Sequence, residues 1–301
     1  FLRDFLYQGF NADERNRLVF DGVIPHIAGA SRMDLNRRWA TPVSQGQYTE
    51  TSFPFADAAL RDPVTGIEEG TLENARARAH QPKVFYTNTA VEYWGGARSA
   101  ALLHTTPDGA RDVTPPAGVR IYFLTGTQHV PAGFPPAETT GQQVNNPNDY
   151  WWAMRALVVA MRRWVVEGVE PPPSRYPRLA DGTLVRVGAV AFPDLPSVSS
   201  PRAVQAGRRV ANPLVVRDGA PGTPLPLLVP QVDTDGNERA GIRLPEVAVP
   251  LATYTGWNFR HPRVGAPAEL FPLLGSYVPF ARGRAEREGA GDPRASIEER
   301  Y

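Results

Sequence analysis

The chain contains no cysteine. Disulfides, thiolate metal sites and a cysteine nucleophile are therefore excluded, although the absence chooses no compartment. Lysine is nearly missing as well: among 32 basic residues only Lys83 is a lysine. We read the arginine excess as codon bias in the source, since the arginines are scattered and form no run. The formal net charge is only +1, which leaves no electrostatic case for a nucleic-acid partner or an anionic membrane. No apolar run approaches the ~20 residues that span a bilayer. The opening residues show no basic region followed by an apolar stretch, so no signal peptide is visible. Secreted, periplasmic and cytoplasmic locations all stay open.

Several catalytic signatures are missing too. There is no Gly-rich phosphate loop, so nucleotide chemistry lacks support. No His-Glu-x-x-His or comparable spacing occurs, which argues against a metal site, and no cofactor is called for. Asp233, Asp235, Asn237 and Glu238 superficially suggest a calcium loop. Gly236 comes too early for that and the distal acid is absent, so a hairpin turn is the expectation. No Gly-x-Ser-x-Gly elbow occurs; Ser31 and Ser99 do not match it.

What is present is a chain able to build a core. Hydrophobic residues make up 42% of its 301 residues, enough for one large domain or two ordinary ones. Residues 18–24 read as a short buried strand closed by Pro25. Residues 30–80 are mixed, with Trp39, Phe53, polar turns and a helix expected near Leu72–Ala79; they look like an insertion between core strands. Two apolar strands follow at Lys83–Thr87 and Val119–Leu124, with helical composition over Ala97–His104 between them. Strand, helix, strand at this spacing predicts a parallel βαβ unit and an α/β fold. Asn148 and Asp149 can cap a long amphipathic helix that runs through Glu167 and stops at Gly168. From residue 171 on the character changes, for 19 of the 31 prolines lie there. Val247–Thr255 is a further strand candidate. Residues 171–301 are expected to form an irregular Pro-rich extension packed on the sheet; a separate small β domain is the alternative.

The candidate chemistry lies in Glu92 and His129. Each falls just past the carboxyl end of a predicted strand, where ligands bind in open α/β sheets. Loops from neighbouring strands could bring the carboxyl to the imidazole. The acid would then fix the ring tautomer while the other ring nitrogen serves as general base. Acid before histidine is also the triad order of α/β-hydrolases, and the 37 residues from 92 to 129 leave room for one helix and one strand. A surface salt bridge and a satisfied loop histidine are the bland alternatives. His26, at another strand end, could line the same cleft or be structural. Tyr93 and Trp94, with Trp39 and Phe53, are candidates for an aromatic substrate pocket or for ordinary packing. His80 and His104 read as surface or packing residues, and His261 as exposed.

Seven stretches carry a family resemblance: FLRDFLYQGFN at 1–11, FDGVIPHIAGA at 20–30, NTAVEYWG at 88–95, YFLTGTQH at 122–129, EPPPSRYPRLADGTLV at 170–185, DGNERAGIRLPEVAVPLATYTGWN at 235–258 and GDPRASIEERY at 291–301. With these the sequence resembles the bacterial alpha/beta hydrolase domain-containing proteins over nearly its whole length. The resemblance implies Glu92 as acid and His129 as base. It implies that residues 1–170 form the C-terminal half of an α/β-hydrolase core, with the insertion at about 31–80. It also implies that a Gly-x-Ser-Gln-Ser-Gly-Arg elbow precedes Phe1. Two local features agree with a fragment: Phe1–Gln8 opens inside an uncapped helix, and the capping box Ser296–Glu299 starts a helix that stops at Tyr301. The implied activity is serine carboxylic-ester hydrolysis on a small-molecule ester. An amidase or peptidase on the same triad and a non-catalytic binding protein are the rivals.

An elbow and early strands lying outside the chain would leave a face or edge of its sheet uncovered. The isolated chain is therefore expected to fold poorly. Scanning calorimetry with sedimentation checks this, and a cooperative unfolding transition of a monomer would contradict it.

Overall fold

The computed structural model describes residues 1–33, 50–51, 53–95, 99–137, 140–204, 208–209 and 223–301. The expected strands pair first. Lys83–Thr89 (β2) and Val119–Leu124 (β3) run parallel, in register from Val84 opposite Val119 to Thr89 opposite Leu124. Their side chains alternate between two cores, as the period of two in a strand requires. Phe85, Tyr122 and Leu124 face one core, while Val84, Tyr86 and Ile121 face the other. Both faces are thus buried, which suits the near-continuous apolar runs of a parallel sheet. The outer edge of β2 carries the two-residue strand Gly22–Val23 (β1). The chain belongs to the α/β class, with helices against this three-stranded parallel sheet.

One face is covered by the long helix Trp151–Glu167 (α3), which follows β3. Its buried residues Met154, Leu157, Met161 and Trp164 recur at helical spacing and pack on Phe85 and Tyr122. The Trp164 ring lies 5.7 Å from that of Phe85. Gly168 ends the helix in the left-handed conformation, with φ +69°. The start differs from expectation. Tyr150 is the first flanking residue, and Asp149 helps by accepting from Trp151 N at 2.9 Å. The opposite face receives the short helix Leu2–Tyr7 (α1), whose Leu6 is buried with Val84, Tyr86 and Ile121.

The free edge of β3 is closed by irregular chain. Phe123 N donates to Arg175 O at 2.8 Å, and Arg175 N donates to Ile121 O at 2.8 Å. Further along, Ile242 N donates to Phe123 O at 2.7 Å and Thr125 N to Ile242 O at 3.1 Å. Gly241 makes this approach possible: at φ +100°, an added Cβ would lie 2.5 Å from Phe123 Cδ1 and from Thr125 Oγ1. Short antiparallel pairs complete the C-terminal part: Leu184–Arg186 (β4) with Leu228–Pro230 (β5), and Ala252–Tyr254 (β6) with Tyr277–Pro279 (β7).

Four expected elements are corrected. Residues 18–20 are not strand; Leu18, Val19 and Phe20 are all exposed. Their backbone is held by Asn11, whose side chain donates to Phe20 O and accepts from Phe20 N. Residues 72–77 form no helix, because Asn74 accepts from Arg76 N and Ala77 N and donates to Gly70 O and Thr71 O. That side chain takes the backbone groups a helix would use, and only Arg78–His80 makes a 3₁₀ turn. Within 97–104 the described helical piece is a 3₁₀ turn, Ala100–Leu103. Val247–Thr255 is divided between a helical turn, Pro245–Ala248, and the three residues of β6. Trp39 lies outside the described residues.

Replacing Gly241 with Ala is expected to destabilise the fold by about 2 kcal/mol or more, because both φ and the Phe123 backbone oppose a Cβ. Gly133, with nothing within 4 Å of a built Cβ, should accept Ala with little change. Urea unfolding of the two variants measures the difference.

Candidate active site

Helix Ala90–Trp94 (α2) begins where β2 ends, so Thr89 is both the last strand residue and the N-cap. Glu92 sits at the third helical position and closes a capping box. Its Oε2 accepts from Thr89 N at 2.9 Å and from Thr89 Oγ1 at 2.5 Å. That fixes the carboxyl and leaves Oε1 directed at the neighbouring loop. There it meets His129 Nδ1 at 2.8 Å. Glu92 is fully buried, whereas the His129 side chain retains 17% exposure. A buried acid satisfied on both oxygens, facing a histidine that reaches the surface, is the arrangement the spacing anticipated.

The loop carrying His129 is held by side chains rather than by regular structure. Gly126, in the left-handed region at φ +64°, turns the chain just after β3. Its carbonyl accepts from Asn146 Nδ2 at 2.9 Å and from Asn148 Nδ2 at 3.0 Å. Gln128 Oε1 accepts from Gly275 N at 2.9 Å and from Asn146 N at 3.2 Å, while Gln128 Nε2 donates to Val130 O at 2.7 Å. Tyr150 donates from its hydroxyl to His129 O at 2.5 Å. On the other side, Gly256, two residues past the end of β6, allows the chain there to touch the start of α2. A Cβ there would stand 2.3 Å from Ala90 Cβ and 2.6 Å from Val91 N.

Glu238 anchors the same loop from behind. Its Oε2 accepts from Gly126 N at 2.8 Å and its Oε1 from Trp94 Nε1 at 3.4 Å. Burial pushes its carboxyl up to about 8, against the lowering effect of those two donors. Nothing in the periodicity singled out Gln128, Asn146, Tyr150 or Glu238. From sequence, Asn148 reads only as a helix cap, and Glu238 only as part of a hairpin turn.

The other histidines separate clearly. His26 lies beside the pair: its Nδ1 is 2.9 Å from Thr87 Oγ1, and its ring packs against Tyr150. His104 is wholly buried, with Nε2 3.0 Å from the Tyr93 hydroxyl, and burial lowers it to about 3. It is a packing residue. The Nε2 of His80 is 3.0 Å from Asn16 O, and His261 Nδ1 accepts from Arg263 N at 3.1 Å. The aromatic-pocket expectation is corrected for Tyr93 and Trp94. Both are buried in the core with Phe123 and Trp257. Phe53 packs on the core beneath Tyr86. Among the described residues no group of His, Asp and Glu could hold a metal ion. Nor is any described helix long and apolar enough to cross a membrane.

The family described as alpha/beta hydrolase domain matches residues 1–301. The chain belongs to this family. No curated protein and no solved structure matches it. Membership in the alpha/beta hydrolase family points to hydrolase activity and agrees with the parallel sheet and helices described above.

Glu238 gives the site a pH signature. Its folded value, about 8, stands above the ordinary 4.5. The folded chain therefore holds a proton that the unfolded chain releases, and this contribution to stability is full below pH 4.5 and lost as pH rises through 8. Urea midpoints should fall between pH 5 and pH 9, and Glu238→Gln should flatten that fall. An unchanged slope in the variant would assign the pH dependence to other groups.

Proposed function

We propose that this alpha/beta hydrolase cleaves carboxylic esters by a Ser–Glu–His triad, with Glu92 as the acid and His129 as the base. The observation that carries the reading is the 2.8 Å contact between Glu92 Oε1 and His129 Nδ1 at the carboxyl ends of adjacent parallel strands. With Nδ1 donating to Glu92, the lone pair of His129 is on Nε2, the nitrogen suited to take a proton from an alcohol. Glu92 holds the ring in that tautomer and stabilises the imidazolium that forms.

The nucleophile is assigned to the serine elbow that the family resemblance implies outside these residues. Its hydroxyl attacks the ester carbonyl as His129 takes the proton. His129 then returns the proton to the leaving alcohol. Water, deprotonated by the same nitrogen, releases the acid from the acyl-enzyme. One backbone N–H of the oxyanion hole belongs to the residue after the nucleophile. No metal or cofactor takes part in this scheme. An ester is preferred over an amide because an alkoxide needs less help to leave than an amine.

In the full-length protein, His129→Ala should reduce ester hydrolysis by roughly 10³-fold or more, and Glu92→Gln by a smaller but still large factor. A panel of 4-nitrophenyl esters gives the rates, and the matching anilides measure the amidase alternative. Retention of full ester hydrolysis in both variants would remove the triad assignment.

A further inference from the structure

His26 holds a buried ring nitrogen that the triad scheme does not use. It follows β1 in the loop 25–30, on the side of β2 that faces α3. Its Nδ1 stands 2.9 Å from Thr87 Oγ1. The contact fits either tautomer; we take the one in which the Thr87 hydroxyl donates to Nδ1. A neutral ring that accepts at Nδ1 carries its proton on Nε2. That nitrogen is buried and has no hydrogen-bond partner. A buried N–H donor left unsatisfied is uncommon and calls for a specific reason.

The surroundings say where this donor works. The His26 ring is 5.6 Å from the ring of Tyr150 and 5.9 Å from that of Trp151. Tyr150 is the residue whose hydroxyl holds His129 O. Thr87 lies on β2 five residues before Glu92. His26 therefore shares Tyr150 with the Glu92–His129 pair. Burial lowers the tendency of the ring to charge, opposed by Glu92 and assisted by His129. The next residue, Ile27, has φ +52°, a conformation β-branched residues rarely adopt. Its N–H donates to Thr87 O at 2.7 Å. Such local strain clusters at functional sites, where the surrounding structure enforces it. Here two bonds to Thr87, one from the backbone and one at the ring, place His26.

We propose that His26 is a specificity-determining residue whose Nε2–H donates to an acceptor oxygen of the substrate other than the scissile carbonyl oxygen. The favoured substrate class is then an ester carrying a second oxygen, such as an ether, near the bond that breaks. The proposal rests on the ester-hydrolase reading, but its test includes a measurement independent of turnover.

Two isosteric pairs of esters supply the kinetic arm: 4-nitrophenyl methoxyacetate against butyrate, and 2-methoxyethyl acetate against butyl acetate. His26→Phe keeps an aromatic ring against Tyr150 and Trp151 and removes the donor. In the full-length protein the substitution should lower kcat/KM roughly tenfold on a methoxy member of one pair and leave both hydrocarbon esters within about twofold. An equal loss on all four esters would make His26 a packing ring and overturn the proposal, as would no loss on any. His26→Asn, which retains a donor but not the ring, should keep part of the preference for the methoxy ester. The independent arm is 15N NMR on histidine-labelled protein, with His26→Phe assigning the resonance. His26 should be neutral with the proton on Nε2, and its signal should move on adding methoxyacetate or 2-methoxyethanol but not butyrate or butanol. A proton on Nδ1, or no response to either methoxy compound, would overturn the assignment. Loss of all ester hydrolysis in His129→Ala, measured alongside, separates failure of this proposal from failure of the triad.

Discussion

The parallel pairing of Lys83–Thr89 with Val119–Leu124 is the constraint on which the rest of the molecule depends. Glu92 and His129 leave the same ends of two adjacent strands, and adjacent strands lie about 4.8 Å apart. That spacing brings two loops within side-chain reach with no further folding. Register matters as much as proximity. A slip of one residue would send the side chains of β2 to opposite faces. Thr87 would no longer meet His26, and Thr89 would no longer enter α2 in position to cap it. The alternation of Phe85 and Tyr86 between two separate cores opposes such a slip, because it would exchange both large rings at once.

Around this pair of strands the chain uses little regular structure, and amide side chains take over the work of hydrogen-bond ladders. Buried backbone groups must be satisfied wherever they lie. Asn11, Asn74 and Asn146 each bind backbone groups from segments that would otherwise be unpaired loop. Asn258 does the same for the 143 segment, donating to Gln143 O at 2.8 Å and accepting from Gln143 N at 3.2 Å. An asparagine fixes a loop without demanding periodicity on either side. This allows a chain with 31 prolines to close the edge of a sheet that proline itself could not join.

The same economy explains what could be read from sequence and what could not. The strands at 83 and 119 and the helix ending at Gly168 declare themselves because burial imposes a period. Glu92 and His129 follow from those strands, since each needs only to be a reactive residue just past a strand end. Leu18–Phe20 looked like strand because the residues are apolar, yet their backbone is claimed by Asn11, ten residues or fewer away. Residues 72–77 looked helical until Asn74 is seen to take four backbone partners. Tyr93 and Trp94 adjoin Glu92 in sequence, but at about 100° per residue around the helix their rings leave it in other directions, into the core. Competition between a side chain and the backbone leaves no mark on hydropathy, so periodicity could not expose it.

Two buried glutamates brace the site, and their contrast bears on how the proposed base works. Glu92 receives two donors from Thr89 and a third from His129; Glu238 receives one from Gly126 and a long one from Trp94. Among the described residues no cation pairs with Glu238, and burial there favours the neutral acid up to about pH 8. A protonated carboxyl can still accept from Gly126 N, so the loop stays fixed without a second negative charge behind it. In the proposed mechanism, an imidazolium at His129 would then face a single carboxylate, Glu92. A charged Glu238 would compete for that imidazolium's field from the wrong side of the loop. Holding the loop with a neutral acid keeps the electrostatics of the site concentrated on the side where the histidine meets its partner.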